Sequence, residues 1–276
     1  MISRIAAAAT LALALGACAS NTTVSTLTLD EAIASAERDP AFKLRDKYRH
    51  PKETLEFFGV QPTMTVVEVW PAPGWYTEIL APYLRGRGKY VAAGFVTNWE
   101  GAPQWRVEAM KDYRDMLAKK PKRYDQVRIT ELGRPDRWEA VEPGTADLVL
   151  TFRNVHNWVA AAPGYEREMF AAFYRALKPG GTLGVVEHRA APGTSIEVTK
   201  KTGYVTEDYV IALAEGAGFK LAAKSEINAN PADTKDYPEG VWTLPPTLKL
   251  GAQDRDKYLA IGESDRMTLK FTKPAQ

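Results

Sequence analysis

A mostly parallel, doubly wound α/β sheet is the fold this sequence predicts, on three observations. From residue 64 to residue 219, β-branched runs alternate with segments of helical spacing, which is the pattern of strands joined by crossover helices. The stretch VVEVWPAPGWYTEIL (66–80) reads as buried strand, tight turn and helix. Two further apolar runs near the C-terminus, separated by a long Pro-, Gly-, Asp- and Lys-rich segment, suit an antiparallel pair closing a seven-stranded sheet.

Taken in order, TLDEAIASAERDPAFKL (28–44) carries apolar residues at helical spacing until Pro40 interrupts it. HPKETLEFFGV (50–60) predicts a second N-terminal helix, with Pro51 in its first turn and Gly59 near its end. MTVVEVW (64–70), KYVAAGF (89–95), QVRITEL (126–132), ADLVLTF (146–152) and TLGVVEH (182–188) predict the parallel strands. Between them, GWYTEILAPYL (74–84), APQWRVEAMKDYRDMLAKK (102–120) and YEREMFAAFYRALKPGG (165–181) predict helices, the last closed by Lys178 and its Pro-Gly-Gly turn. TEDYVIALAEGAGF (206–219) predicts a helix with Thr206 at the N-cap and Glu207 and Asp208 in the first turn. KLAAKSEI (220–227) and RMTLKFTK (266–273) are the closing strands, and about 229–264 is an insertion whose Tyr237 and Trp242 are aromatics that a solvated linker does not need.

The 276 residues, 45% hydrophobic and 25% charged, suit one α/β domain with a full core. A net charge of +2 and the lack of a basic stripe argue against nucleic acid and leave small molecules, other proteins or a membrane reached by an anchor as the expected partners. At the N-terminus, Arg4 precedes an apolar run shorter than the roughly 20 residues that span a bilayer. The run ends in Leu15-Gly16-Ala17-Cys18, which resembles the bacterial lipobox. That resemblance implies a signal peptide over 1–18, lipidation of Cys18 and a periplasm-facing outer-membrane lipoprotein, with 19–27 as a polar tether ahead of a domain over 28–276. Cys18 is the only cysteine, so the chain forms no internal disulfide.

In open α/β sheets ligands bind at the carboxyl ends of the strands, which here means residues 68–76, 94–98, 131–133, 152–158 and 187–189. Three segments in or beside this edge, VVEVWPAPGWYTEIL, ADLVLTFRNVHNW (146–158) and FYRALKPGGTLGVVEH (173–188), resemble the Rossmann-like class I S-adenosylmethionine-dependent methyltransferases. More narrowly, together with RDKYRHPKETLEFFGV they are similar to a group of bacterial methyltransferases of unassigned substrate. The resemblance implies S-adenosylmethionine as cofactor. It also implies Glu68 as partner of the methionine ammonium, a backbone cradle at Trp70, Ala72 and Gly74, and Glu131 near the adenine, with Phe95 and Phe152 beside the ligand.

Two departures from the family predict a weakened cofactor site. Trp70 and Ala72 stand where the family has glycines, and Pro71 and Pro73 remove two N–H donors. Gly94 stands where the family's acid holds the ribose. His156, Arg153 and Asn154 are the candidate catalytic residues, with His156 as general base because its ordinary pKa lies near physiological pH. Arg153 pairing with Glu187 to brace the sheet end is the structural alternative. His50, His156 and His188 lie far apart in sequence without ligand-pair spacing, so no metal is expected. A non-catalytic envelope protein that keeps the fold is the alternative function.

Overall fold

The computed structural model describes residues 27–275. The expected signal peptide, the expected lipidation site Cys18 and most of the expected tether therefore lie outside the described residues. Seven strands, β1 (Thr65–Val69), β2 (Lys89–Gly94), β3 (Arg128–Glu131), β4 (Ala146–Phe152), β5 (Leu177–His188), β6 (Lys220–Ser225) and β7 (Arg266–Thr272), form one sheet in the order β3-β2-β1-β4-β5-β7-β6. The first five are parallel, and β7 runs antiparallel to both β5 and β6.

This topology has a consequence for chemistry. Because β7 runs backwards, its first residue lies at the carboxyl edge of the parallel strands, and Arg266 pairs with His188. The edge where the sheet order reverses, between β1 and β4, therefore gathers residues from the ends of β1, β4 and β5 and from the start of β7.

Helices α1 (Leu29–Ala34), α2 (Pro40–Lys43), α3 (Asp46–Arg49) and α4 (Pro51–Phe58) precede the sheet. The predicted single helix over 28–44 is broken. Thr28 and Glu31 form a reciprocal cap on α1, and Asp39 caps a new start with Pro40 in its first turn. The helix predicted from Gly74 starts three residues later, as α5 (Thr77–Leu84). Gly74 has φ +104°, outside the helical range, and its amide donates to the Pro71 carbonyl (2.7 Å) in a turn.

α6 (Gln104–Ala118) and α7 (Pro121–Tyr124) complete the layer of α5. α8 (Val155–Ala161), α9 (Tyr165–Ala176), α10 (Ile196–Thr202) and α11 (Glu207–Gly216) form the other. The predicted N-cap of α11 is present, with the Thr206 hydroxyl accepting from the Tyr209 amide. α8 and α10 fall in stretches that read as loop from sequence. In α8 the buried residues Val155, Trp158 and Val159 share one helical face, too short a repeat to stand out. The LKPGG turn is part of β5 rather than the end of a helix, since Leu177 already pairs with Ala146 and the register resumes at Leu148–Thr182. The insertion carries a 3-10 turn (Gly240–Thr243) and α12 (Arg255–Ile261), packed around its own small core of Tyr237, Leu244 and Tyr258. Among the described residues, no helix is long and apolar enough to cross a membrane.

Candidate functional site

β1 and β4 both end on non-glycine residues in left-handed conformation, Trp70 (φ 50°) and Arg153 (φ 61°). Each costs about 1–2 kcal/mol, which packing around the two chain reversals must offset. Between them lies a cleft of about 270 Å³. Trp70, Ala72, Phe95, Phe152, Arg153, Asn154 and His156, all expected from the sequence, line it. Glu68, Gly74 and Glu131 are not part of its wall.

The absent three have specific commitments. Glu68 is buried and accepts from the Tyr90 hydroxyl (2.5 Å), which also meets the Thr77 hydroxyl of α5 (2.8 Å). Burial pushes its carboxyl up to about 8, against the opposing effects of the Tyr90 hydrogen bond and of Arg49. Gly74 lies against Met116 and Tyr113. Glu131 accepts from the amide and hydroxyl of Thr97 (3.1 and 3.0 Å). At Gly94, where the family's ribose acid belongs, a side chain would overlap the buried Met110.

Trp70 is nearly buried. Its indole N–H donates to the Leu132 carbonyl (2.9 Å), and its ring packs on Phe95 (4.7 Å between centres) and Trp158 (5.5 Å) beneath the Arg106 guanidinium. The β1 turn thus supplies an aromatic wall where bare backbone was the family pattern.

On the β4 side, Asn154 donates its side-chain amide to the Val69 carbonyl (2.9 Å) and the Thr151 hydroxyl (3.1 Å), joining the ends of β1 and β4. With both amide hydrogens directed there, its carbonyl oxygen remains as an acceptor in the cleft wall. Glu187, fully buried at the end of β5, accepts from the amides of Val155 (2.6 Å) and His156 (3.4 Å) with Oε2. Its Oε1 takes the His188 amide (2.8 Å) and meets His156 Nδ1 at 2.9 Å. A carboxylate only accepts, so His156 Nδ1 carries the proton and Nε2 keeps its lone pair. The alternative of an Arg153–Glu187 brace is not what forms: Glu187 pairs with His156.

His188, whose Nδ1 meets the Ser264 hydroxyl (2.5 Å), stacks at a tilt near His156 (5.2 Å between ring centres). Burial, and after it the nearby arginine charges, push its pKa well below the ordinary value, so it is neutral. His156, Glu187 and His188 offer ligand atoms within 4.8 Å of one another, a convergence that sequence spacing did not reveal. Both Glu187 oxygens are already occupied by N–H donors. Trp242, Pro245 and Pro246 of the insertion close the remaining side, with the Trp242 ring 6.1 Å from His156. Of the two aromatics unexpected in a linker, Trp242 thus reaches the cleft, whereas Tyr237 packs inside the insertion itself.

No protein-family model and no curated protein sequence matches the chain. Solved structures similar to it include an S-adenosylmethionine-dependent methyltransferase from Aquifex aeolicus, with 16% identity, 90% of this chain and 99% of that one covered, and a TM-score of 0.54. A methyltransferase of the same cofactor class from Methanosarcina mazei shows 12% identity, 80% and 97% coverage, and a TM-score of 0.52. The [4+2]-cyclase SpnF shows 15% identity, 90% and 93% coverage, and a TM-score of 0.54. The chain has the Rossmann-like fold of the S-adenosylmethionine-dependent methyltransferases.

Proposed function

We propose that the protein is an S-adenosylmethionine-dependent methyltransferase acting on a small protic acceptor at the cell envelope, held there through lipidated Cys18. The observation that carries the enzymatic reading is the His156–Glu187 pair in the wall of the cleft at the end of β4. Glu187 holds the first amides of α8, as a scaffold would need, but it also fixes one tautomer of a cleft histidine, which a base requires and a scaffold does not. His156 Nε2 takes the proton from the acceptor's reacting group, and Glu187 stabilises the imidazolium that results. Asn154 accepts a hydrogen bond from the acceptor or the cofactor, and Trp242 and the two prolines limit water in the cleft.

The cleft walls suit the cofactor's nucleoside by shape and stacking, through Trp70, Phe95 and Phe152. The family's polar anchors are committed elsewhere: Glu68 to Tyr90, Glu131 to Thr97, and position 94 to Met110. When bound, S-adenosylmethionine supplies an electrophilic methyl group. Its affinity then rests on stacking, and the loss of two charge-assisted hydrogen bonds weakens binding by at least about a hundredfold relative to a fully anchored site. Calorimetry of the soluble form starting at Ala19, with S-adenosylmethionine and S-adenosylhomocysteine, tests this. Weak, saturable binding of both is expected. No binding at high concentration removes the methyltransferase reading.

A further inference from the structure

Beside the cleft, three arginines meet around one small cavity. Arg49 from α3, Arg153 from the end of β4 and Arg266 from the start of β7 line it, together with Tyr76, Phe152 and Asn228. Arg45 adds a fourth guanidinium through Glu263, with which it pairs at 2.5 Å. Glu263 is the cluster's one direct ion-pair acid, and it also contacts Arg266 and, at 3.7 Å, Arg49. The neighbouring carboxylates Glu68 and Glu187 are committed to Tyr90 and His156.

The cluster has more donors than acceptors, even though the unpartnered Asn228 carbonyl oxygen belongs to a residue that lines the same cavity. Arg49 and Arg266 are 4% and 2% exposed, yet Arg49 Nε and Nη2 and Arg266 Nε have no hydrogen-bond partner, nor does Nη2 of Arg45. Among the described residues, no side-chain hydrogen bond or ion pair engages the Arg153 guanidinium, although its backbone adopts a strained conformation that places it here. Burial and the neighbouring arginines push Arg49 well below its ordinary pKa and Arg153 down to about 10, the direction expected of cations facing uncompensated positive charge. Buried donors and charges without partners are costly, so the fold carries a cost that a bound oxyanion removes. The cavity of about 10 Å³ has room for a single oxygen atom, so an oxyanion inserts one oxygen there while the rest of the group lies on the cleft side. Phe152, Arg153 and Arg266 border both this cavity and the cleft of His156, so a molecule in the cleft reaches it directly.

We propose that Arg49, Arg153 and Arg266 bind the anionic group, a carboxylate or phosphate, of a second small molecule that enters the His156 cleft. Its role as methyl acceptor rests on the function proposed above; the anion site does not. Planar guanidinium forks match such oxyanions in geometry as well as charge.

The test is a titration of the soluble protein with inorganic phosphate and with acetate, following the arginine Nε–H resonances, with chloride at equal ionic strength as control. Saturable shifts of Arg49 and Arg266 are expected with either oxyanion and not with chloride. Arg153→Gln, which breaks no side-chain bond within the protein and so retains the fold, should weaken phosphate binding about tenfold or more. Arg49→Gln is the second variant. Absence of a saturable shift, or equal affinity in wild type and both variants, overturns the proposal and leaves water as the occupant. S-Adenosylhomocysteine and 5′-methylthioadenosine distinguish the source of the anion. If phosphate competes with S-adenosylhomocysteine but not with methylthioadenosine, the site takes the cofactor's own carboxylate and the second-molecule assignment is overturned. Simultaneous binding of phosphate and S-adenosylhomocysteine supports it. Phosphate binding without any S-adenosylhomocysteine binding supports the anion site and removes the methyltransferase reading alone.

Discussion

Replacing Glu187 with glutamine changes the site through its hydrogen-bond arithmetic. The carboxylate takes four N–H donors, two on each oxygen. Glutamine offers one acceptor oxygen and an NH2 group that must face the other pair. The backbone amides of Val155 and His156 on the Oε2 side cannot become acceptors, so the side-chain oxygen of the glutamine turns to them. Its NH2 then faces His156 Nδ1 and the His188 amide. The imidazole can adapt by moving its proton from Nδ1 to Nε2, whereas the His188 amide cannot. One buried N–H is left without an acceptor, at a cost of about 1–3 kcal/mol. The stability change is therefore modest, while the base is disabled because Nε2 now carries the proton. Urea unfolding measures the first effect and the nitrogen chemical shifts of His156 measure the second. A Glu187→Gln protein whose His156 keeps the Nδ1–H tautomer would refute this account, as would a stability unchanged within about 0.5 kcal/mol.

Glu68 should make stability fall as pH rises. Its carboxyl is raised to about 8 in the folded chain from 4.5, so between these values the folded state holds a proton that the unfolded state releases. The contribution is fully present below the unfolded value and is lost at about 1.4 kcal/mol per pH unit until the folded value is passed. Glu68→Gln should flatten the dependence, and identical urea midpoints against pH for the two proteins would show that Glu68 is ionised throughout. Replacing Cys18 with Ser should move the protein from the membrane fraction to the soluble one; retention in the membrane would rule out the lipid anchor.

The strands and their direction were legible in the sequence because most are apolar, largely β-branched runs that alternate with helical segments, and the antiparallel closing pair followed from two short runs without a crossover helix. The same local logic located the cleft, since a doubly wound sheet binds at its carboxyl edge, and it pointed to the stretch of Arg153, Asn154 and His156, while the family resemblance supplied Trp70 and Phe95. Periodicity is local, however, and three features depend on contacts that it does not carry. Glu68 has the right type and position for the ligand's ammonium, yet it is buried below the strand ends and held by the Tyr90 hydroxyl. α8 is a helix whose first amides are accepted by Glu187, 31 and 32 residues away in sequence. Histidines and arginines too far apart for any spacing rule converge because the reversed β7 returns Arg266 to the edge where β4 and β5 end, and Arg45 meets Glu263 across 218 residues. What the sequence by itself determined was the order of elements and the edge that binds. Only the tertiary structure decided which charges face one another there, because that depends on side-chain direction at the strand ends and on the path of the last strand.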